Sequence, residues 1–149
     1  LCRPDAPFSL YDPEHRIFTR ARFLPPSMVD GADIEQSIIG DGSRIAGATV
    51  RRSVIGLRTV LNADCTVTDS VVMGADYYDP ADGQGGMTVG IGAGASIHRA
   101  IIDKNACIGE GARIHGDPDR ADEEHEDWAV RDGVVLVVKG AVIPPGAIL

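Results

Sequence analysis

Along the middle of this chain, aliphatic residues recur every five or six positions: Val29, Ile34, Ile39, Ile45, Val50, Ile55, Leu61, Val67 and Val72. An amphipathic helix would place them at three and four and an exposed strand at two, so neither period accounts for a sustained step near six. The short step is nested in a longer one. An aliphatic residue, two variable residues, a small residue and an aliphatic doublet occur five times, a repeat that has to be explained before any single element. The copies are Ile34-Glu-Gln-Ser37-Ile38-Ile39, Val50-Arg-Arg-Ser53-Val54-Ile55, Val67-Thr-Asp-Ser70-Val71-Val72, Ile97-His-Arg-Ala100-Ile101-Ile102 and Val130-Arg-Asp-Gly133-Val134-Val135. The first three start 16 and then 17 residues apart, so three short steps make one copy.

If each step holds one short strand and one corner, three steps close a three-sided turn, and the next turn stacks about 4.8 Å above it in parallel register. The repeat therefore predicts an all-β fold, a left-handed parallel β-helix. Spacing does not set the hand, since most parallel crossovers are right-handed; the left hand comes from the known hexapeptide-repeat fold, which this pattern resembles. Stacking puts like above like, and columns of Ile and Val fill a narrow core that large rings would not fit. No aromatic residue lies between Leu24 and Asp76. Gly40, Gly42, Gly47, Gly56, Gly92, Gly94, Gly109 and Gly111 fall at or near the expected corners, where a missing Cβ eases a sharp turn.

The fourth and fifth copies arrive after 30 and 33 residues, each delayed by an insertion. The first, at about 75–90, contains the turn-rich run Asp76-Tyr77-Tyr78-Asp79-Pro80 to Gly86 and reads as an exposed loop. The second, at about 115–129, holds seven acids and one arginine over residues 117–127, which is −6 of the net charge of −8. It reads as a solvated loop rather than a metal or partner site. Residues 27–149 thus form the β-helix. Residues 1–26 carry no repeat but hold Phe8, Tyr11, Phe18, Phe23 and Pro25-Pro26. They read as a connector that packs on another domain or caps the first coil.

At 149 residues and 44% hydrophobic, the chain supports one domain with a buried core. No apolar run approaches the roughly 18 to 20 residues of a membrane span, and no signal peptide is visible. The acidic balance argues against nucleic acid or a membrane surface as partner. Cys2, Cys65 and Cys107 have no metal-ligand spacing and read as reduced, structural thiols. The chain begins at Leu1 without methionine and so reads as a piece of a longer protein.

Few residues invite chemistry. The run Gly90 to Gly94 matches repeat corners better than a phosphate loop, because no strand-to-helix context surrounds it. His98 and His115 occupy variable exterior positions; an acyltransferase of the hexapeptide class would use such a histidine as base. Lysine is rarer: the chain has two, Lys104 after the doublet of copy four and Lys139 after copy five. On consecutive coils their ammonium groups can converge on one phosphate or carboxylate. Arg16, Arg20 and Arg22 form a second basic cluster.

Several runs resemble the C-terminal part of ADP-glucose pyrophosphorylase in its plant, algal and cyanobacterial form. They are Ile17-Phe-Thr-Arg-Ala-Arg-Phe-Leu-Pro-Pro-Ser27, Ser53-Val-Ile-Gly-Leu-Arg58, Met73-Gly-Ala-Asp-Tyr-Tyr78, Ile101-Ile-Asp-Lys-Asn-Ala106 and Gly133-Val-Val-Leu-Val-Val-Lys-Gly-Ala141. The likeness runs from about Leu10 to Leu149. It implies an enzyme that makes ADP-glucose and pyrophosphate from glucose 1-phosphate and ATP with Mg²⁺ in starch and glycogen synthesis. It also implies a tetramer activated by 3-phosphoglycerate and inhibited by phosphate, in plastids if algal or plant and in cytoplasm if bacterial. The family's catalytic motif, Gly-Gly-x-Gly-x-Arg-Leu, is absent here. The resemblance therefore assigns this chain no catalytic residue, no metal and no cofactor, and an N-terminal catalytic domain as partner. By their flanking residues, Lys104 and Lys139 match the family's effector lysines, Asp103 adjoins one of them, and Arg22 matches an arginine near the anion site. Arg20 stands where many members have glutamine. Two other readings remain open, a hexapeptide acyltransferase and a purely structural β-helix module.

Overall fold

A computed structural model of the chain describes residues 6, 7, 9–18, 20–78 and 87–149. Among these there is no α-helix, and short strands wind through five coils and the start of a sixth. The first coil holds Met28–Asp30 (β1), Asp33–Glu35 (β2) and Ile38–Ile39 (β3), and the second Arg44–Ala46 (β4), Thr49–Arg51 (β5) and Val54–Ile55 (β6). The third holds Val60–Leu61 (β7), Thr66–Thr68 (β8) and Val71–Val72 (β9), and the fourth Gly90–Ile91 (β10), Ser96–His98 (β11) and Ala100–Ile102 (β12). Cys107–Ile108 (β13) and Arg113–His115 (β14) open the fifth. Glu123–Glu124 (β15), Trp128–Arg131 (β16), Val134–Val137 (β17) and Val142–Ile143 (β18) follow.

Every third strand joins the same sheet. The order β1-β4-β7-β10-β13-β18 makes one wall, β2-β5-β8-β11-β14 the second, and β3-β6-β9-β12-β17 the third, the last extended by β16 and β15. Apart from that extension all pairings are parallel. The architecture is that of a left-handed parallel β-helix, and in-register stacking gives it continuous core columns. Ile45, Leu61, Ile91, Ile108 and Ile143 line one wall; Val50, Val67, Ile97 and Ile114 the second; Ile55, Val72, Ile102 and Val137 the third, all buried. Each such side chain contributes about 1.5–3 kcal/mol by leaving water. Cys65 takes a place among Ala48, Ala95 and Ala112 in the buried core, so it serves as a small apolar residue.

The corners solve a polar problem. Ser37, Ser53 and Ser70 stack along one edge, where the hydroxyl of each accepts the N–H of its counterpart one coil on: Ser53 N–H, Ser70 N–H and finally Ala100 N–H, at 3.2, 3.2 and 3.1 Å. Each hydroxyl also donates to a carbonyl two residues upstream, at 2.7–2.8 Å. The small residue of the repeat is serine here because it satisfies a buried N–H that no strand partner reaches.

Two sequence expectations change. The fifth copy, Val130 to Val135, is not a coil: β16 and β17 are antiparallel, with Val130 opposite Val135 and Arg131 opposite Val134. Asp132 and Gly133 both have positive φ, 50° and 70°, as a two-residue hairpin turn requires. The true fifth-coil counterpart of Ile97 is Ile114, and the inward pair is Val135 and Val137. The second insertion is likewise more than a solvated loop, since β15 and β16 add two antiparallel strands to the third wall. Its charges are partly paired internally: Glu123 meets Arg120 at 2.8 Å and His125 at 3.2 Å, and Glu124 pairs with Arg131. Trp128 stacks on His125 with centroids 3.9 Å apart.

Among the described residues the connector does not cap the first coil. Tyr11, Phe18 and Phe23 are exposed, and so is Val29, the innermost aliphatic of β1. Cys2, Phe8 and the first insertion's Asp79 to Gly86 lie outside the described residues.

Candidate functional site

One corner of the β-helix gathers most of the sequence candidates. It lies between the third wall and the first, where each coil turns after its doublet. In the fourth coil the turn is Asp103-Lys104-Asn105, with Asn105 at φ 62°; in the fifth it is Val138-Lys139-Gly140, with Gly140 at φ 73°. The turns are bonded into a column: Asn105 N–H donates to the Gly74 carbonyl at 3.0 Å, and Gly140 N–H to the Lys104 carbonyl at 2.9 Å. The β12–β17 register thus places Lys139 directly one coil beyond Lys104.

The two lysines converge as their spacing suggests, and a carboxylate stands between them. Lys104 Nζ donates to Asp76 Oδ1 at 2.7 Å, and Lys139 Nζ to Asp76 Oδ2 at 3.0 Å. Asn105 completes the clamp: its Nδ2 lies 3.3 Å from Asp76 Oδ2, and its Oδ1 accepts the Asp76 N–H at 2.8 Å. Lys104 above all, then Lys139, hold the Asp76 carboxyl below the ordinary carboxylate range, and Asp76 in turn raises Lys139. All three groups remain partly open to water, with the side chains of Lys104, Asp76 and Lys139 exposed by 37, 40 and 58%.

Arginines surround the clamp. Arg20, Ala21, Arg22 and Phe23 of the connector, Leu57 and Arg58 of the second coil, Met73, Ala75 and Asp76 of the third, and Lys104 of the fourth line one depression of about 430 Å³. Four cations, Arg20, Arg22, Arg58 and Lys104, thus share one depression with Asp76. Arg58 is held by its Nη1 bond to the Ala75 carbonyl at 3.2 Å and lies 5.8 Å from the Tyr78 ring, whose hydroxyl donates to the Gly42 carbonyl at 3.0 Å. The corner therefore presents ammonium and guanidinium groups suited to a small anion with more than one charged end.

Of the residues singled out in the sequence, Lys104, Arg20 and Arg22 line this depression, and Lys139 joins through Asp76. Asp103 faces inward to the turn, where Oδ1 accepts the Lys104 N–H at 2.6 Å. Sequence reasoning missed Arg58 and Asp76. Both sit inside quoted motifs, but Asp76 is 28 and 63 residues from its lysine partners, and no local signal joins them.

The histidines form a separate feature. His98 and His115 are register partners on the outer face of the second wall, with centroids 6.1 Å apart. His98 bonds Thr68 Oγ1 at 2.9 Å, and His115 Nε2 bonds Ser96 Oγ at 2.8 Å. Partial burial, then the neighbouring His98 and Arg113, lower the His115 pKa. The run Gly90 to Gly94 resolves into β10 and the corner after it. Among the described residues no group of three or more His, Cys, Asp or Glu is placed to hold a metal ion.

The family model described as the GLGC left-handed parallel β-helix domain matches residues 22–148. That span covers every coil and the basic corner apart from Arg20 and Ala21. The chain belongs to this family, the C-terminal β-helix domain of ADP-glucose pyrophosphorylase.

Proposed function

We propose that the chain acts as the regulatory and assembly domain of a glucose-1-phosphate adenylyltransferase, with the Lys104–Lys139 corner as its part of an effector site. The enzyme as a whole joins glucose 1-phosphate to ATP, releasing ADP-glucose and pyrophosphate. The nucleotidyl-transfer residues, and the Mg²⁺ and ATP they handle, are assigned to a catalytic domain rather than to residues of this chain. The observation that carries the reading is the two-lysine grip on one carboxylate, in a depression that Arg20, Arg22 and Arg58 also line. An activator such as 3-phosphoglycerate offers a carboxylate and a phosphate, and inorganic phosphate competes for the same cations. The connector arginines matter for coupling. An effector regulates only by binding the active arrangement of two bodies more tightly than the inactive one, so the site has to draw on the junction between them.

Assembly draws on the exposed apolar residues Val71, Met73, Val138 and Val142 at the strand ends and Tyr11, Phe18 and Phe23 in the connector. These are surfaces for the catalytic domain and for other subunits of a tetramer. The test uses the full-length enzyme: Lys104→Glu and Lys139→Glu should each raise the 3-phosphoglycerate concentration needed for half-activation by tenfold or more, at about 1.4 kcal/mol per decade. Unchanged activation constants in both variants would remove the effector assignment.

A further inference from the structure

The basic corner of this chain is already filled by one of its own side chains. Asp76 engages three groups on other coils, Lys104, Lys139 and Asn105, and its backbone N–H is tied to Asn105 as well. Ala75, just before it, is buried and bonded to the Leu57 carbonyl at 2.9 Å, so the carboxylate is delivered from a fixed root. An incoming anion therefore meets a tethered competitor whose effective concentration is set by the fold, not by the solution. The remaining groups around it differ in kind. Arg20, Arg22 and Arg58 offer planar guanidinium forks, which suit a phosphate, whereas the lysine pair is spaced here to span the two oxygens of a carboxylate.

From this geometry we propose that Asp76 is a built-in competitor of the effector. A ligand carrying both a carboxylate and a phosphate binds by exchange, its carboxylate replacing that of Asp76 between Lys104 and Lys139 and its phosphate facing the arginines. The proposal rests on the effector reading above and adds its regulation and ligand class. It accounts for discrimination as well as affinity: a lone phosphate gains the arginines without displacing Asp76, while a bifunctional acid gains both halves. Asp103 and Tyr77 are the other acidic or ionisable neighbours of Lys139; Asp103 is engaged by the Lys104 N–H, and the carboxylate to which both ammonium groups donate is that of Asp76.

Calorimetric titration of the full-length enzyme at fixed ionic strength tests this, with 3-phosphoglycerate and inorganic phosphate as probes. Asp76→Asn and Asp76→Ser are used together, so that misfolding of one leaves the other. Exposed ion pairs are weak, so both variants should bind 3-phosphoglycerate about three- to tenfold tighter, with a smaller gain for phosphate. Lys104→Ala and Lys139→Ala should bind it more weakly than wild type. Wild-type or weaker affinity in both Asp76 variants, with loss in the lysine variants, would overturn the exchange while leaving the effector site standing. Equal gains for both probes would overturn the placement of the carboxylate at the lysines. Unchanged affinity in the lysine variants would remove the effector reading itself, and the exchange with it.

Discussion

Ile102 and Val137 are register partners on adjacent coils, and two residues beyond each the chain turns outward at a lysine. Val72 continues the same column one coil earlier, opposite Ile102, and four residues beyond it stands Asp76. One buried column of aliphatic side chains thus stacks the two lysines, and Asp76 reaches them from the root of the insertion that follows Val72. Coil stacking at about 4.8 Å brings groups 63 residues apart within hydrogen-bonding range.

Acidification should leave the clamp intact longer than ordinary carboxylates. Lys104 and then Lys139 lower the folded pKa of Asp76. A depressed folded value means that the stabilising contribution is present above the unfolded pKa, about 3.9, and is lost as pH falls through the lower folded value. Carboxyl carbon shifts followed by NMR should show Asp76 titrating well below that reference. A midpoint at or above it would contradict the lysine contacts.

Gly74→Ala should damage the site without touching it. Gly74 adopts φ 86°, and a Cβ there would overlap the Leu57 carbonyl oxygen. Forcing alanine into this conformation costs about 1–3 kcal/mol, and relief requires the backbone leading to Asp76 to move. Thermal unfolding should register the loss, and anion affinity should change with it. A variant of wild-type stability and affinity would show that this close approach has no consequence.

Ser70→Ala should destabilise the chain by about 1–3 kcal/mol, because the Ala100 N–H would lose its acceptor within a buried corner. Urea unfolding measures it directly. A change below about 0.5 kcal/mol, the scale of an ordinary surface substitution, would mean that the hydroxyl column is dispensable.

Cys65 should resist thiol reagents in the folded state. Burial pushes its pKa up to about 12, and the thiolate is the reactive form. Ellman's reagent at pH 8 should reach Cys65 only after denaturant is added. Prompt labelling of Cys65 in native protein, read by peptide mapping, would contradict its place in the core.

Much of the architecture was legible because stacking is local in its rules. Ile34, Val50 and Val67 announce their wall by spacing alone, and the serines of the same copies mark its edge. The misreading came at Val130 to Val135, where an antiparallel hairpin mimics the repeat. Asp132-Gly133 between alternating apolar residues is itself a strong hairpin signal, and it outweighs a chance match to the coil pattern. Counting 17 residues on from Ile97 would have found Ile114 instead.

The six-residue period, by itself, determined a three-sided parallel coil, its aliphatic columns and the corner that carries Lys104. It did so because every coil repeats the geometry of the last. Lys139 comes to the same corner one turn on because the β16–β17 hairpin returns the chain to the third wall. Only the tertiary structure decided what stands between those lysines and which arginines face them. Asp76 follows a strand end at the root of an insertion, Arg58 is a corner residue two coils earlier than Lys104, and Arg20 and Arg22 belong to a segment without any repeat. Their meeting depends on how non-repeating chain packs against the column, and periodicity carries no information about that.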